Sequence, residues 1–309
     1  MKKGNHSKID FVGIGAAKCA TSWVYRCLFE HPNVCCSKIK ELHYFLTENP
    51  KSHPMDGNMM IRNRTLFNRG IDSYLEYFDH CDNNSIKGEI SVSYISDPGA
   101  AKKIYESFPD IKIIVCLRNP IKRAHSYYLF SKKFLLKEKS NTFEDALNKN
   151  EEIYINGGKY YEQLKTYFDV FPKENIGIFI TDDLNANPIK FIQAVYSFLG
   201  VNSSFVPPSA LRKENSARKV RCKFLKKIQE SLVKSIYSTS NFFGVNFLIQ
   251  LLKKIGFQKM LYYFNWKINS VEIVKEKIKP ETYERLRDEF RDDVLKLEKL
   301  IGRNLESWR

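Results

Sequence analysis

Short apolar runs alternate with longer amphipathic segments along the first two thirds of the chain. The runs of five to seven residues have the length of buried strands, and the segments after them have the spacing of helices. The pairs are residues 9–14 with Thr21–Glu30, 111–117 with 121–133, and Ile176–Ile180 with Pro188–Leu199, and residues 86–92 form a further strand candidate. This pattern predicts an α/β fold in which helices flank a central parallel sheet.

The extent of the domain is predicted from chain length and from where the pattern stops. The 309 residues allow one large domain or two small ones, and 43% hydrophobic residues suffice for a sizeable core. We predict a single domain over residues 1–309, with an α/β core at about 8–208 and a basic helical C-terminal extension at about 209–309. Segments 47–70 and 134–158 are predicted to be inserted surface loops or lids.

Seven cysteines are scattered along the chain without a C-x-x-C pair. An odd, dispersed set predicts neither a disulfide framework nor a zinc site, so we expect no metal and a reducing compartment. The first residues lead into a strand-like run with no signal-peptide core, and no run of about 18 apolar residues follows. The expected location is therefore the cytoplasm.

The charge of the chain is strongly positive, because 50 Lys and Arg residues stand against 35 Asp and Glu, giving +15. Such a field attracts polyanions. Nucleic acid, an anionic membrane and a small polyanionic ligand all remain open as partners at this point.

The segment between the first strand and the first helix combines backbone donors with a lysine and two hydroxyls. It is Gly13-Ile14-Gly15-Ala16-Ala17-Lys18-Cys19-Ala20-Thr21-Ser22-Trp23. A turn at a helix N-terminus favours anions, so this segment predicts an anion cradle. It departs from a Walker A motif because Ala17 and Cys19 flank Lys18, and from a dinucleotide fingerprint because Lys18 takes the third glycine position. The alternative is a tight turn with a solvated lysine.

A second basic segment follows the strand at 111–117. Arg118 stands at the carboxyl end of that strand, and Ser126 lies about two turns into the next helix. Ligands of open α/β sheets bind beyond the carboxyl ends of the strands, so both segments can face one crevice. Two anion sites imply a ligand with two phosphate-like ends.

In these residues the chain resembles the sulfotransferases that use 3′-phosphoadenosine 5′-phosphosulfate (PAPS), especially bacterial members and the heparan sulfate and other carbohydrate enzymes. Their first motif, Lys-x-Gly-Thr-Thr/Ser followed by Trp, matches the segment from Lys18 to Trp23, and their Arg and Ser eight residues apart match Arg118 and Ser126. The resemblance extends to residues 40–45, 88–94, 158–164 and 300–308. It implies a P-loop-like sheet and PAPS as co-substrate.

Two residues depart from the family pattern. Ala20 stands where the family has Gly, so the turn needs a backbone conformation that tolerates a Cβ. Ile90 replaces a lysine of the heparan enzymes, so any sulfate contact from that position is absent or supplied elsewhere.

The resemblance implies a role for each residue of the two anion segments. Lys18 is the expected cation beside the bridging oxygen of the phosphosulfate, where charge gathers during transfer. The other expected nucleotide contacts are Cys19, Ala20, Thr21 and Ser22 at the 5′ end, and Arg118 and Ser126 at the 3′-phosphate. Trp23 either stacks on adenine or is a core aromatic.

Glu41 is the expected base, because it matches the catalytic glutamate in the Glu-x-His-Phe/Tyr-Phe segment of the heparan enzymes. His43 is the rival base, and otherwise orients Glu41 or the acceptor. Glu89 and Tyr160 are expected to line the acceptor cleft together with Glu41 and His43.

Residues 212–227 contain eight basic side chains and one acidic one. Three interpretations are open: a solvated helix face, a flap that covers PAPS with Arg218, Lys219 and Arg221, as a basic loop does in the family, or a surface for an acidic acceptor. The amphipathic stretch 242–264 is either a buried helix or one that lies on the inner membrane face near a lipid-linked acceptor.

The sequence thus predicts sulfuryl transfer from PAPS to a hydroxyl or amine of a carbohydrate or glycolipid, with release of adenosine 3′,5′-bisphosphate and without a metal. One alternative is a P-loop nucleotide kinase-like enzyme that needs Mg²⁺ and ATP, which Cys19 disfavours. The other is a basic nucleic-acid-binding protein, but no motif supports it and we expect no nucleic-acid partner. The sequence leaves the oligomeric state open.

Overall fold

The computed structural model describes residues 8–47, 66–132, 138–149, 151–211 and 277–309, together with the backbone of 218–220 and 270–272. The chain divides into two compact units. The first consists of Met1–Lys213 with Ile278–Arg309, and the second of Glu214–Lys277.

The first unit is built on a five-stranded sheet. Its strands are β1 (Phe11–Gly15), β2 (Val34–Cys36), β3 (Ile86–Ile90), β4 (Lys112–Leu117) and β5 (Ile176–Ile180). All pairs are parallel, and the order is β2-β3-β1-β4-β5. Every residue of β1 is buried, as expected for a strand covered on both faces. The chain places β2 and β3 on one side of β1, and then β4 and β5 on the other. The strand order therefore reverses between β1 and β4, and the crevice beyond their carboxyl ends is the expected ligand site.

Ten α-helices are described in this unit, and several begin and end with residues that suit those positions. They are α1 (Thr21–Glu30), α2 (Ile71–Leu75), α3 (Ala100–Ser107), α4 (Pro120–Phe130), α5 (Phe143–Lys149), α6 (Glu151–Ile155), α7 (Tyr160–Phe168), α8 (Thr181–Ala186), α9 (Pro188–Leu199) and α10 (Pro280–Ile301). Proline opens α4, α9 and α10, and the side chains of Asn119 and Asn187 accept N–H groups at the first two. Gly200 and Gly302, at φ +81° and +66°, end α9 and α10. None of the described helices is long and apolar enough to cross a bilayer.

The C-terminal helix α10 completes the core of the first unit. Its buried side chains include Leu286, Phe290 and Val294, and it packs against α7 and α4. Beyond it, the buried indole of Trp308 donates a hydrogen bond to Asp182 Oδ2 at 2.7 Å. The predicted parallel sheet with flanking helices is confirmed, and α10 lies within the extension predicted to be helical.

Two local predictions are wrong. The described part of 134–158 forms α5, α6 and a short 3₁₀ turn instead of a loop. Apolar residues such as Phe143 and Tyr154 are buried on one face of these helices, although the segment as a whole is highly charged. In the second unit, Arg218–Val220 (β6) pairs antiparallel with Ser270–Glu272 (β7), so this part of the extension is not helical. The stretch 242–264 lies outside the described residues.

Cys35 and Cys81 form a disulfide, with their Cα atoms 5.7 Å apart. The prediction of no disulfide is therefore wrong. The two residues are 46 positions apart, and β2 and the turn after α2 bring them together, which no local spacing signals. The inference of a reducing compartment rests on the expected absence of disulfides, so the cysteines no longer support that inference.

Candidate active site

The turn between β1 and α1 has two residues in the left-handed region. Lys18 has φ +69° and Ala20 has φ +64°. Glycine adopts this region readily, whereas a Cβ makes it cost roughly 1–2 kcal/mol. This conformation favours glycine, the residue that stands there in the sulfotransferases that the chain resembles, so with Ala20 the chain keeps the turn at some cost in stability.

The N-terminus of α1 presents free backbone donors beside this turn. The N–H groups of Trp23 and Val24 both donate to the carbonyl oxygen of Ala20, at 2.9 and 3.0 Å. Within the described residues, the N–H groups of Thr21 and Ser22 donate to no backbone carbonyl. They lie at the positive end of the helix dipole and suit an anion.

Lys18 and Arg118 meet at the crevice between β1 and β4. Nη1 of Arg118 donates to the carbonyl oxygen of Lys18 at 3.4 Å, and Nζ of Lys18 lies 4.0 Å from the ring centroid of Phe130. Burial, and then the neighbouring guanidinium, lower the pKa of Lys18 to about 8. Lys18 and Arg118 thus bring two positive charges together in a partly buried crevice, and a bound anion would stabilise both of them.

Tyr160 connects the two anion segments from inside the core. Its hydroxyl donates to the carbonyl oxygen of Arg118 at 2.9 Å and lies 3.7 Å from Sγ of Cys19. Burial raises the pKa of the Cys19 thiol, which stays neutral. The backbone N–H groups of Tyr160 and Tyr161 donate to the carboxylate of Asp293 in α10, at 2.8 and 3.1 Å. Sequence reasoning missed Asp293, because nothing distinguishes it within a tail of dense mixed charge.

The remaining expected nucleotide contacts differ in position. Ser126 is half-buried on α4, about two turns from its start, as the spacing predicts. The ring of Trp23 is 7% exposed and packs edge-on against Phe191 at 5.9 Å, which favours the core-aromatic alternative. Arg218 and Lys219 lie on β6 of the second unit, and Arg221 lies outside the described residues.

Glu41 and His43 follow β2 and lie at the carboxyl end of β3. Oε2 of Glu41 accepts the N–H of Val92 at 2.8 Å, and Oε1 pairs with Nζ of Lys40. His43 is buried, its Nδ1 lies 2.7 Å from Oγ of Ser93, and its Nε2 lies 3.9 Å from Oε2 of Glu41. The Glu41 side chain is 22% exposed and that of His43 is 0% exposed, so the carboxylate is the more accessible of the two groups.

Glu89 supports residues 43–45 from the interior of the protein. It is fully buried, and burial raises its pKa to about 7. Its carboxylate accepts the hydroxyls of Ser91 and Tyr94, both at 2.8 Å. The same two hydroxyl oxygens accept the backbone N–H groups of His43 and Phe45, at 3.1 and 3.4 Å. Ser91 and Tyr94 lie in the segment used for the resemblance, but nothing in the sequence indicated this role.

Glu89 and Tyr160 therefore differ from the acceptor-lining position expected for them. Both side chains are 0% exposed and their polar atoms bond to the protein interior. The packing of the core over β3 and around α7 decides this inward direction. Tyr160 instead donates to the carbonyl of Arg118, and Glu89 reaches the backbone of His43 and Phe45 through Ser91 and Tyr94.

The chemical groups gather at one edge of the sheet. Because β1, β2, β3 and β4 are parallel, the segments that follow them come to the same edge. Two cations and an open helix N-terminus lie after β1 and β4, and a carboxylate with an imidazole lies after β2, beside the carboxyl end of β3. This arrangement can bind an anionic donor and deprotonate a nucleophile beside it.

Comparison with known proteins places this arrangement in a family context. A model of the sulfotransferase domain matches residues 8–244. The chain is 23% identical over 198 residues to the membrane-associated sulfotransferase kil1 of Dictyostelium discoideum, covering 61% of this chain and 38% of that protein. It is 23% identical over 284 residues to mouse carbohydrate sulfotransferase 15, covering 71% of this chain and 49% of that one. The chain thus spans less than half the length of these two relatives.

A solved structure is similar over nearly the whole chain. The crystal structure of a sulfotransferase from Alicyclobacillus acidocaldarius superposes with a TM-score of 0.69 at 26% identity, covering 98% of this chain and 99% of that one. The sheet and its flanking helices are therefore those of a known fold.

Proposed function

The chain belongs to the sulfotransferase domain family, and on that premise we propose that it transfers a sulfuryl group from PAPS to a hydroxyl or amine and releases adenosine 3′,5′-bisphosphate. The observation that carries the proposal is the contact between Arg118 and Lys18 beside the N-terminus of α1. It gives one crevice two cations and free backbone donors, which suits a nucleotide with phosphate groups at both ends.

The residues present fit PAPS, because Lys18 and Arg118 place two cations beside the N–H groups of Thr21 and Ser22 at the N-terminus of α1. The bound nucleotide supplies the activated sulfuryl group. Lys18 and the N–H groups of Thr21 and Ser22 bind the 5′ end and stabilise the charge that gathers there. The guanidinium of Arg118 binds the 3′-phosphate, and each charge-assisted bond contributes roughly 1.5–3 kcal/mol.

Glu41 removes the proton from the acceptor. Its carboxylate is partly exposed, and the N–H of Val92 at 2.8 Å fixes its orientation. His43 lies behind it at 3.9 Å and is held by Ser93, which suits an orienting role better than direct contact with the acceptor. A base positioned in this way contributes typically about 10²–10⁴ in rate.

The acceptor is proposed to be a carbohydrate or glycolipid. Support for a carbohydrate comes from two relatives, carbohydrate sulfotransferase 15 and a human bifunctional heparan sulfate N-deacetylase/N-sulfotransferase that is 26% identical over 204 residues. Ile90 is buried at the position of the heparan enzymes' lysine, so this chain orients the sulfate without a cation there.

Calorimetry distinguishes the proposed donor from its rivals. Adenosine 3′,5′-bisphosphate, ATP with Mg²⁺ and duplex DNA are titrated into the wild type, Arg118→Ala and Lys122→Ala. The bisphosphate should bind in the micromolar range, and Arg118→Ala should weaken it by about one to two orders of magnitude. Lys122→Ala removes an exposed charge from α4, the helix that follows Arg118, and should have little effect. Tighter binding of ATP or DNA, or no effect of Arg118→Ala, overturns the proposal.

Transfer assays test the base and the acceptor. Glu41→Gln should keep the affinity for the bisphosphate and lose about 10²–10⁴ in transfer rate. Undiminished turnover would move the role of base to His43. Labelled sulfate from PAPS is then offered to sugar, glycolipid and phenol acceptors, and transfer to phenols alone contradicts a carbohydrate acceptor.

A further inference from the structure

Three metal-binding side chains meet on the first unit, apart from the residues assigned above. They are Cys35, His80 and Cys81, whose ligand atoms all lie within 4.8 Å of one another. Nε2 of His80 lies 3.5 Å from Sγ of Cys35 and 3.9 Å from Sγ of Cys81. Two thiolates and an imidazole are soft and borderline ligands, the set that selects Zn²⁺ over Mg²⁺ or Ca²⁺.

The fold holds these ligands in place from two directions. Cys35 lies on the edge strand β2, where it pairs with Lys87 of β3, and the N–H of Cys81 donates to the carbonyl oxygen of Phe78 at 2.9 Å. His80 is exposed and both cysteines are partly buried, so a metal ion can enter from solvent. Asp79 and Asp82 flank the His80-Cys81 pair in sequence and add negative charge that attracts a cation.

We propose that Cys35, His80 and Cys81 bind one Zn²⁺ when the Cys35–Cys81 bond is reduced. The disulfide and the metal use the same two sulfur atoms, so the two states exclude each other. A dithiol reductant supplies two electrons and two protons, which breaks the S–S bond and gives two thiols, while the reductant becomes a disulfide. Zn²⁺ then releases the two thiol protons to solvent and binds both sulfurs and Nε2 of the neutral imidazole.

The site has one coordination position left for water or another ligand, since the described residues supply three. Either state joins β2 to the turn after α2, with Cα atoms of the cysteines 5.7 Å apart, so the exchange keeps the fold. Cys35 precedes Glu41 by six residues. The metal therefore replaces the disulfide as the cross-link that holds β2, the strand that precedes the proposed base Glu41.

Metal binding is measured on the whole chain. The protein is reduced with a phosphine, freed of metal and titrated with Zn²⁺ against a chromogenic chelator, and with Co²⁺ as a spectroscopic probe. Reduced wild type should bind one equivalent in the micromolar range or tighter and show the sulfur-to-cobalt charge-transfer band. The oxidised protein should show neither. An absence of stoichiometric binding to the reduced chain overturns the proposal.

Variants identify the ligands. His80 is exposed, so His80→Ala should leave the fold intact. Loss of an outer-shell partner lowers metal affinity by about 10- to 100-fold, and loss of the ligand His80 should lower the affinity for Zn²⁺ by more than that. Cys35→Ser and Cys81→Ser should each weaken the charge-transfer band and Zn²⁺ binding. Cys27→Ala removes a thiol elsewhere and should leave both unchanged. Circular dichroism confirms folding, and unchanged Zn²⁺ affinity in folded His80→Ala or Cys35→Ser contradicts the assignment.

Discussion

The hydroxyl of Tyr160 donates to the carbonyl oxygen of Arg118 at 2.9 Å, so one buried phenol holds the turn that carries the guanidinium. The same oxygen lies 3.7 Å from Sγ of Cys19 in the other anion segment. Asp293 of α10 accepts the N–H of Tyr160 and fixes where α7 begins. The C-terminal helix therefore takes part in setting the distance between the two proposed anion contacts.

Tyr160→Phe should weaken the binding of adenosine 3′,5′-bisphosphate. The change removes one hydrogen bond of about 1 kcal/mol and leaves the carbonyl of Arg118 without it, so an approximately five-fold loss of affinity is expected by calorimetry. Tyr167→Phe is the matched control on the same helix, because its hydroxyl donates to the carbonyl of Tyr94 at 2.8 Å and not to an anion segment. Equal losses of affinity in both variants would show a general loss of stability instead of a positioning role.

The affinity for the bisphosphate should fall as pH rises through the pKa of Lys18. That pKa is about 8 in the free protein because of burial and Arg118, and a bound anion raises it by favouring the ammonium. Affinity should therefore be flat between about pH 7 and 8 and then fall by up to about tenfold per pH unit. The ligand phosphates, with second pKa values of about 6, add little over this range.

Lys18→Arg provides the control for this pH profile, since a guanidinium stays charged throughout. Calorimetry from about pH 7 to about pH 9.5 should give a flat profile for this variant, whatever its absolute affinity. A falling profile in Lys18→Arg would assign the titration to another group.

Glu89 should make the protein less stable as pH rises. Its pKa is about 7 in the folded state against an ordinary value of 4.5, so the folded state binds more protons between these values. The contribution of Glu89 to the free energy of unfolding is fully present below pH 4.5. It is lost as pH rises through 7, and the loss amounts to up to about 3 kcal/mol. Urea unfolding of Glu89→Gln at a series of pH values should lack this contribution.

Glu76→Gln is the control for Glu89, because Glu76 is an exposed glutamate on the same unit. It should keep the wild-type dependence of unfolding free energy on pH. If Glu89→Gln kept the wild-type dependence as well, another group would be responsible.

Ala20→Gly should stabilise the protein. Ala20 has φ +64°, and glycine relieves the clash of its Cβ at the start of α1, for an expected gain of about 1 kcal/mol in the free energy of unfolding. The same change at Ala101, inside α3, should lower it by about 1 kcal/mol or more. Thermal and urea unfolding measure both, and a loss of stability in Ala20→Gly would contradict the strain.

The sequence by itself determined the elements whose signals are local. The bounds of α1, β5 and α9 follow the predicted segments, because apolar periodicity and residues such as Asn187 and Gly200 act within one element. The order of strand, turn and helix also indicated that the segments with Lys18 and Arg118 share one crevice, since parallel strands end at one edge.

The tertiary structure alone decided which side chains face inward and which distant residues meet. The direction of Glu89 and Tyr160, both fully buried, depends on what packs over them and not on their neighbours in sequence. The contacts of Asp293 with Tyr160 and of Cys35 with Cys81 join residues 133 and 46 positions apart. Such contacts arise from chain packing, and the local patterns that predict helices and strands carry no record of them.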